Sequence, residues 1–330
     1  MPTILARPGT RATGCGIVTP SSMKRLLVVI PHRNGRDLLL RALAAVEVAV
    51  DWTCDDVLVV DNGSSDDSIA AVRERHPRVE IFSSPWNLGF GRAVNLGMTR
   101  GTHRYVLVLN NDCVATRDVV DGLIATLDRD PRIGVVGPGL QGLDGRPARA
   151  WGWAPTPLGE IGIRPRRVAA FVGSEPRDVE TLVGACMLVR REAVAAVGGF
   201  DEAFFFYFEE TEWCLRMRRA GWRVVFVPAV SVVHGKGTSV TTLRREAQIE
   251  MLRSRLLYYR RAFSASTAAM LTAWRIARLV VNALVASVAT ILTLGLVAGQ
   301  RRRTMTYLTL VAFIAAGRPS SWGLPGKEPV

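Results

Sequence analysis

Three places in this 330-residue chain carry side chains fit for chemistry. Asp112 closes the triplet Asn110-Asn111-Asp112, directly after the apolar run Tyr105-Val106-Leu107-Val108-Leu109. Such a run reads as a central strand, and open α/β sheets bind ligands just outside the carboxyl ends of their strands. A carboxylate placed there can hold a hard divalent cation that in turn holds a diphosphate. Further on, Glu209-Glu210-Thr211-Glu212 follows Phe204-Phe205-Phe206-Tyr207-Phe208. Apolar surroundings and a second nearby acid both raise a carboxyl pKa, which suits Glu209 and Glu210 to general-base work. The third place is His234, followed by Gly235-Lys236-Gly237-Thr238-Ser239, a small-residue loop whose lysine can close over phosphate. Metal-site acid, separate acid cluster and downstream histidine point to displacement on a nucleotide-activated substrate. Plainer readings stand beside each: a strand-end turn, a helix N-terminus where the dipole favours acids, and a structural histidine.

Two further motifs are compatible with that chemistry. Asp61-Asn62-Gly63-Ser64 ends a second apolar run, where an acid or amide can accept from a base or a ribose; Asn-Gly also makes an ideal tight turn. Asn87-Leu88-Gly89-Phe90-Gly91-Arg92 contains G-x-G but is separated from the preceding strand and lacks a third small residue in register. It is not a dinucleotide fingerprint, which argues against a nicotinamide enzyme. A loop whose backbone and Arg92 approach a diphosphate fits better.

The elements that must position these residues follow from periodicity. Strands are expected at 26–30, 57–60, 79–82, 105–109, 134–138, 183–190 and 224–227. Helices are expected at 37–50, from a Ser65 or Asp66 cap toward Arg75, and at 92–99, 118–127, 191–197 and 211–219. Alternating strands and helices imply an α/β, doubly wound, mainly parallel sheet. Residues 139–177, rich in Gly, Pro, Arg and Trp, read as a long irregular excursion of lid or insertion type.

Composition bounds the rest. The net charge is +13, and beyond Arg244 the only acids are Glu246, Glu250 and Glu328. A basic tail meets either nucleic acid or anionic lipid. The apolar stretch 279–298, near bilayer-spanning length with Asn282 its one strongly polar side chain, favours lipid; 305–316 is too short to span. The absence of a nucleic-acid motif ranks that partner last. The five cysteines, Cys15, Cys54, Cys113, Cys186 and Cys214, form no C-x-x-C pair, which fits free thiols in a reducing compartment. Residues 1–22 read as a disordered extension, and Met23 is an alternative start.

In this order the segments resemble the family 2 inverting glycosyltransferases of the GT-A fold, in their bacterial rhamnosyltransferase-like branch. The resemblance runs through Val28-Val29-Ile30-Pro31, Val60-Asp61-Asn62-Gly63-Ser64-Ser65-Asp66, Asn87-Leu88-Gly89-Phe90 and Leu109-Asn110-Asn111-Asp112. It continues through Gly184-Ala185-Cys186-Met187-Leu188-Val189-Arg190, Gly198-Gly199-Phe200-Asp201-Glu202 and Phe206-Tyr207-Phe208-Glu209-Glu210, and ends with His234, Gly237 and Ser239. It implies that Asp61 and Asn62 contact the nucleoside, with Pro31 and Arg33 nearby, and that Asn87, Gly89, Asn95 and Asn111 line the donor pocket. Asp112 would bind Mg²⁺ or Mn²⁺ with help from His234, and Glu210 would be the base. Two departures stand out: Asn111 replaces the first acid of the family's metal motif, and Glu210 stands where the family has Asp. The extra methylene displaces the carboxylate by about an ångström, enough to matter for rate.

The resemblance also implies a dTDP- or UDP-sugar donor, dTDP-L-rhamnose first, and a lipid-linked saccharide or other cell-envelope glycan acceptor at the cytoplasmic face of the cell membrane. The implied organisation is an extension (1–22), a GT-A domain (23–240, with a nucleotide-sugar part 23–115 and an acceptor and catalytic part 116–240) and a helical membrane-associating region (241–330). A non-catalytic nucleotide-sugar-binding scaffold is the alternative.

Overall fold

The computed structural model describes residues 23–163, 173–235 and 244–328. The expected extension at 1–22 and Lys236, Gly237, Thr238 and Ser239 lie outside them. The first half alternates strand and helix: β1 (Lys24–His32), α1 (Arg36–Ala49), β2 (Asp55–Asn62), α2 (Ser68–Arg75), β3 (Glu80–Ser84), α3 (Phe90–Met98) and β4 (His103–Leu109). Strands β1, β2 and β4 follow from Val- and Leu-rich runs buried on both faces, as parallel strands covered by helices must be, whereas β3 is a partly exposed edge strand. Helix α1 buries Leu39, Leu43 and Val46 at one-turn spacing against them.

Then come β5 (Cys113–Val114), α4 (Arg117–Arg129), β6 (Ile133–Gln141), β7 (Pro147–Ala148), β8 (Trp151–Gly152), α5 (Pro157–Glu160), β9 (Arg177–Asp178) and β10 (Thr181–Leu182). They are followed by β11 (Cys186–Arg190), α6 (Arg191–Val197), α7 (Glu209–Arg219) and β12 (Arg223–His234). The main sheet runs β3-β2-β1-β4-β11-β6-β12-β5. Strands β3, β2, β1 and β4 are parallel, β11 enters antiparallel between β4 and β6, and β12 is parallel to β6. The sheet is thus mixed and mostly parallel.

Several boundaries differ from expectation for tertiary reasons. The expected strand at 183–190 starts later, as β11 at Cys186, and enters the main sheet; β10, just before the expected span, pairs with β8 in a separate small sheet. Strand β12 runs on to His234 past a bulge, because it keeps β6 as a partner through Val233 and gains β5 at Val233 and His234. Helix α2 has Asp67, not Ser65 or Asp66, at its cap position, although the Asp66 carboxylate accepts from Ser68 N–H at 3.2 Å. In the expected excursion, Glu160 of α5 is bound by Arg255, Arg275 and Tyr259, so that part is tied down rather than free.

The remaining helices, α8 (Arg244–Ala262), α9 (Ala265–Leu292) and α10 (Ala298–Ala315), form a second core around Tyr258, Tyr259, Leu271 and Phe313. The apolar stretch expected at 279–298 is not one helix. Helix α9 ends at Leu292, and a turn with Leu294 at φ 48° and Gly295 at φ 67° leads into α10. The helix long and apolar enough to cross a membrane is Ala265–Leu292.

Candidate active site

Two acidic centres converge on the dipeptide Gly184-Ala185. Asn110 N–H donates to Ala185 O at 2.9 Å, which holds the end of β4. A Cβ on Gly184 would lie 3.7 Å from Glu210 Cγ, so the other acid borders the same turn.

At the first centre, β5 pairs antiparallel with β12 so that His234 lies opposite Cys113. This pairing sets His234 Nε2 3.4 Å from Asp112 Oδ1, while Gly235 N–H donates to Asp112 O at 2.9 Å. Asp112 Oδ1 is buried without a hydrogen-bond partner, which suits an atom reserved for a cation. Ligand atoms of Asp112, Cys113 and His234 fall within 4.8 Å of one another. Burial pushes the Cys113 thiol well up, its S–H already donates to Ala185 O at 3.4 Å, and a soft sulfur is a poor ligand for a hard cation. Aspartate and imidazole are left, a set that suits Mg²⁺ or Mn²⁺ if diphosphate oxygens and water complete it.

Asn111, expected in the donor pocket, has a structural partner. Its Nδ2 lies 2.8 Å from His32 Nδ1, and His32 Nε2 lies 2.9 Å from Ser68 Oγ. Ser68 gives its hydroxyl proton to Asp66 at 2.5 Å. Burial works to raise the Asp66 pKa, but hydrogen bonds from Ser68, Gly35 and Arg36 hold it below the usual carboxylate value. Ser68 therefore accepts from His32 Nε2–H, and the bare Nδ1 accepts from Asn111. Burial lowers the His32 pKa to about 4, keeping it neutral. An aspartate at 111 would face Nδ1 with acceptors only, which accounts for the amide at that position. Sequence reasoning missed His32 because a histidine inside an apolar strand carries no motif.

At the second centre, Tyr207 and Phe208 adopt left-handed φ of 71° and 69° immediately before α7. Non-glycine residues there cost roughly 1–2 kcal/mol each and persist only where the surroundings enforce them. The enforcement comes from α8: Ser254 Oγ donates to Phe206 O at 2.8 Å, and Tyr258 packs on Phe208. The turn aims Glu209 under Gly91 and Glu210 toward Gly184. Glu209 is 5% exposed, with Oε2 buried and unpartnered. Burial pushes both carboxyl groups up, Glu209 the more strongly because Glu210 lies beside it; Arg149 tempers Glu210. Arg149 lies in the Arg-rich excursion, with no sequence signal of its own. Glu212 is taken up by Arg216 at 2.8 Å, which also donates to Val197 O and Gly199 O.

The expected donor residues divide into two groups. Asp61 Oδ1 accepts from Ser64 N–H, and its register on β1 sets it opposite His32, one residue beyond the Pro31–Val60 pair. Arg33 Nε is buried without a partner, and burial lowers the guanidinium pKa, so it is a cation in want of an anion. By contrast, Asn62 spends its amide on the Asn87-Leu88-Gly89 loop, donating to Gly89 O at 2.9 Å and accepting from Leu88 N–H at 3.0 Å. Asn95 clasps Phe200, donating to its carbonyl at 2.9 Å and accepting from its N–H at 2.8 Å. Both position the pocket rather than offer it free polar atoms. Arg92, expected near a diphosphate, is held by Glu328 at 2.5 Å and Glu202 at 3.8 Å.

The segment 319–328 reaches this loop from α10. Asn87 N–H donates to Gly326 O at 2.7 Å and Asn87 Nδ2 to Pro325 O at 3.1 Å. Gly326 lies against the Arg33 guanidinium. A buried carboxylate, Glu250 of α8, latches the segment through Leu324 N–H and Lys327. Gly323, at φ 111°, lies so close to Glu250 that a side chain would collide.

A family model described as glycosyl transferase family 2 matches residues 27–198. Over 224 residues the chain is 34% identical to an N-acetylglucosaminyl-diphospho-decaprenol L-rhamnosyltransferase of Mycobacterium tuberculosis, covering 61% of this chain and 73% of that protein. It is 27% identical over 224 residues to a low-salt glycan biosynthesis hexosyltransferase of Haloferax volcanii, covering 64% and 69%. Among solved structures it is similar to a Pyrobaculum calidifontis mannosyltransferase in complex with GDP-Man and Mn²⁺ (TM-score 0.53, 18% identity, 91% and 88% covered). GalNAc-T7 with UDP, GalNAc and Mn²⁺ is a second such neighbour (TM-score 0.52, 18% identity, 72% and 48% covered). With a GT-A sheet, an acid at the end of β4 and a second acid pair across Gly184-Ala185, this chain belongs to glycosyl transferase family 2 and is a glycosyltransferase.

Proposed function

We propose that this enzyme is a metal-dependent inverting transferase that moves L-rhamnose from dTDP-L-rhamnose onto a lipid-linked saccharide of the cell envelope. The observation that carries the reading is the contrast between an unpartnered Asp112 oxygen beside His234 and the pair Glu209-Glu210, whose proton affinity burial raises. One end is built to hold a cation and the other to take up a proton. The rhamnose and lipid-linked parts draw on the mycobacterial relative's name.

Asp112 and His234 would hold Mg²⁺ or Mn²⁺, which when bound neutralises the charge on a departing nucleoside diphosphate. Asp61 and the Pro31–Arg33 backbone face the nucleoside, and the Arg33 guanidinium supplies a positive charge. Asn62, Asn87 and Gly89 fix the loop that lines the donor, Asn95 fixes Phe200 behind it, and Asn111 holds the His32 ring. Glu210 accepts the proton of the acceptor hydroxyl as its oxygen attacks the anomeric carbon. The sugar–phosphate bond breaks on the opposite face, so the configuration inverts. Glu209, protonated in its buried position, adds no second charge next to the base. Exposed Val281, Leu284, Val285 and Val288 of α9, with the exposed Arg278 and Arg301, rest on the anionic cytoplasmic face of the membrane.

The test is donor turnover by purified protein across dTDP-, UDP- and GDP-sugars, with and without Mn²⁺. Metal-dependent hydrolysis or transfer confined to dTDP-rhamnose is expected. Preference for another donor overturns the sugar assignment, and full turnover in EDTA overturns the metal.

A further inference from the structure

Between the start of α8 and the first turns of α10 lies a cavity of about 480 Å³, lined by Arg244, Gln248, Arg302, Arg303, Thr306 and Tyr307 among others. Three guanidinium groups border one space. Among the described residues none of the three has an ion-pair partner, whereas Arg253, Arg255, Arg261 and Arg275 of the same helical region each meet a carboxylate. The cavity also lies along the first turns of α10, which begins at Ala298. Helix N-termini carry positive partial charge and favour acids, yet the first turn of α10 has none. Three converging cations beside this positive helix end repel one another unless an anion is supplied. Gln248, Thr306 and Tyr307 add polar groups suited to phosphate oxygens.

The surroundings indicate what carries that anion. The turn entering α10 exposes Leu294 (83%) and Leu296 (80%), continuous in sequence with exposed Ile291 and Leu292 of α9. An anion site beside an apolar helix end fits an amphiphile with a charged head and a hydrocarbon chain. Helix α8 links the cavity to the catalytic turn. From Gln248 to Ser254, which holds Phe206 O, is six residues, about 9 Å along the axis. Phe206 in turn precedes the turn that carries Glu210.

We propose that this cavity holds the diphosphate of a lipid-linked saccharide acceptor, with its lipid chain laid along the exposed face of α9. The proposal rests on the transferase reading above. The three arginines fix the acceptor by its diphosphate, leaving the sugar hydroxyl free to reach the base.

The experiment is calorimetric titration of the full-length protein with geranyl diphosphate, a short prenyl diphosphate, in EDTA to silence the Asp112 site. Wild type, Arg302→Gln, Arg303→Gln and the double variant are compared. Exposed arginines are replaced, so the fold stands, and donor hydrolysis serves as the internal check. Each single variant is expected to weaken binding about tenfold, and the double variant to abolish it, with donor hydrolysis unchanged. A second arm uses phosphatidylcholine vesicles with and without phosphatidylglycerol. If the double variant loses vesicle binding but keeps geranyl diphosphate, the arginines serve bulk lipid headgroups and the proposal falls. It falls equally if wild type does not bind geranyl diphosphate, or if all four proteins bind it alike. Failure of wild type to turn over any donor would overturn the transferase reading separately, because the diphosphate titration does not depend on turnover.

Discussion

The two acidic centres border one dipeptide and are of the same chemical type, yet their surroundings make them opposites. Asp112 stands at a strand end with an imidazole beside it and one oxygen left without a hydrogen bond. Glu209 and Glu210 sit at the start of α7 behind two left-handed aromatic residues, pushed by burial toward the protonated state. What a carboxylate does is set less by its identity than by which charge state its surroundings stabilise. A nearby cation, or a place for one, favours the ion; desolvation beside a like charge favours the acid.

The largest expected effect comes from removing the base. Glu210→Gln should lower transfer by about 10³-fold while leaving Mn²⁺ binding at its wild-type value, read by single-turnover kinetics alongside metal titration. Equal loss of both would erase the distinction between the centres. Wild-type kcat/KM should fall on the acid side with an apparent pKa above the usual 4.5, because a base raised by burial must lose its proton to act.

Asp112→Asn should do the converse. Mn²⁺ affinity is expected to fall roughly 100-fold, with turnover partly restored at high Mn²⁺. Rescue by added metal should be absent in Glu210→Gln.

A subtler break lies at His32. Its folded pKa, about 4, is below the ordinary 6.5, so the unfolded chain takes up a proton first as pH falls. Stability from this residue is complete above pH 6.5 and lost between 6.5 and 4, about 3 kcal/mol in all. Asn111→Asp, a return to the family's acid, should raise the His32 pKa toward or above its ordinary value and flatten that loss. NMR titration of the imidazole reads it directly. An unmoved resonance would mean that Asn111 does not set the tautomer.

The smallest effect concerns the latch. Gly323→Ala collides with Glu250 and should free the 319–328 segment from Asn87. Donor KM is expected to rise about tenfold or less, since two hydrogen bonds to the loop are lost, with kcat held. A fall in kcat at constant KM would place the latch with the base instead.

Much of the frame was legible in the sequence. The runs Leu26-Leu27-Val28-Val29-Ile30 and Tyr105-Val106-Leu107-Val108-Leu109 announce strands because nothing else buries such stretches on both faces. Asp112 follows one of them after only Asn110 and Asn111. Glu209 and Glu210 were visible because acids beside a run of aromatics are rare unless the helix start, or the chemistry, wants them. The partners were not legible. His234 meets Asp112 only because β12 passes its bulge and pairs with β5, a register that no local pattern encodes. His32, Arg149 and the Glu250 latch act through neighbours far away in the chain. The apolar stretch at 279–298 showed its composition but not the break at 293–297, where a turn interrupts an otherwise continuous signal.

The sequence by itself determined the alternation of strand and helix, the acids and their order, and the excess of arginine beyond residue 244. These are local or additive properties, written in composition and period. Only the tertiary structure decided which acid keeps its proton, which amides are spent on holding loops, and which arginines are left without a carboxylate. Those outcomes depend on desolvation and on pairing over long separations, and both are properties of the packed chain rather than of any segment in it.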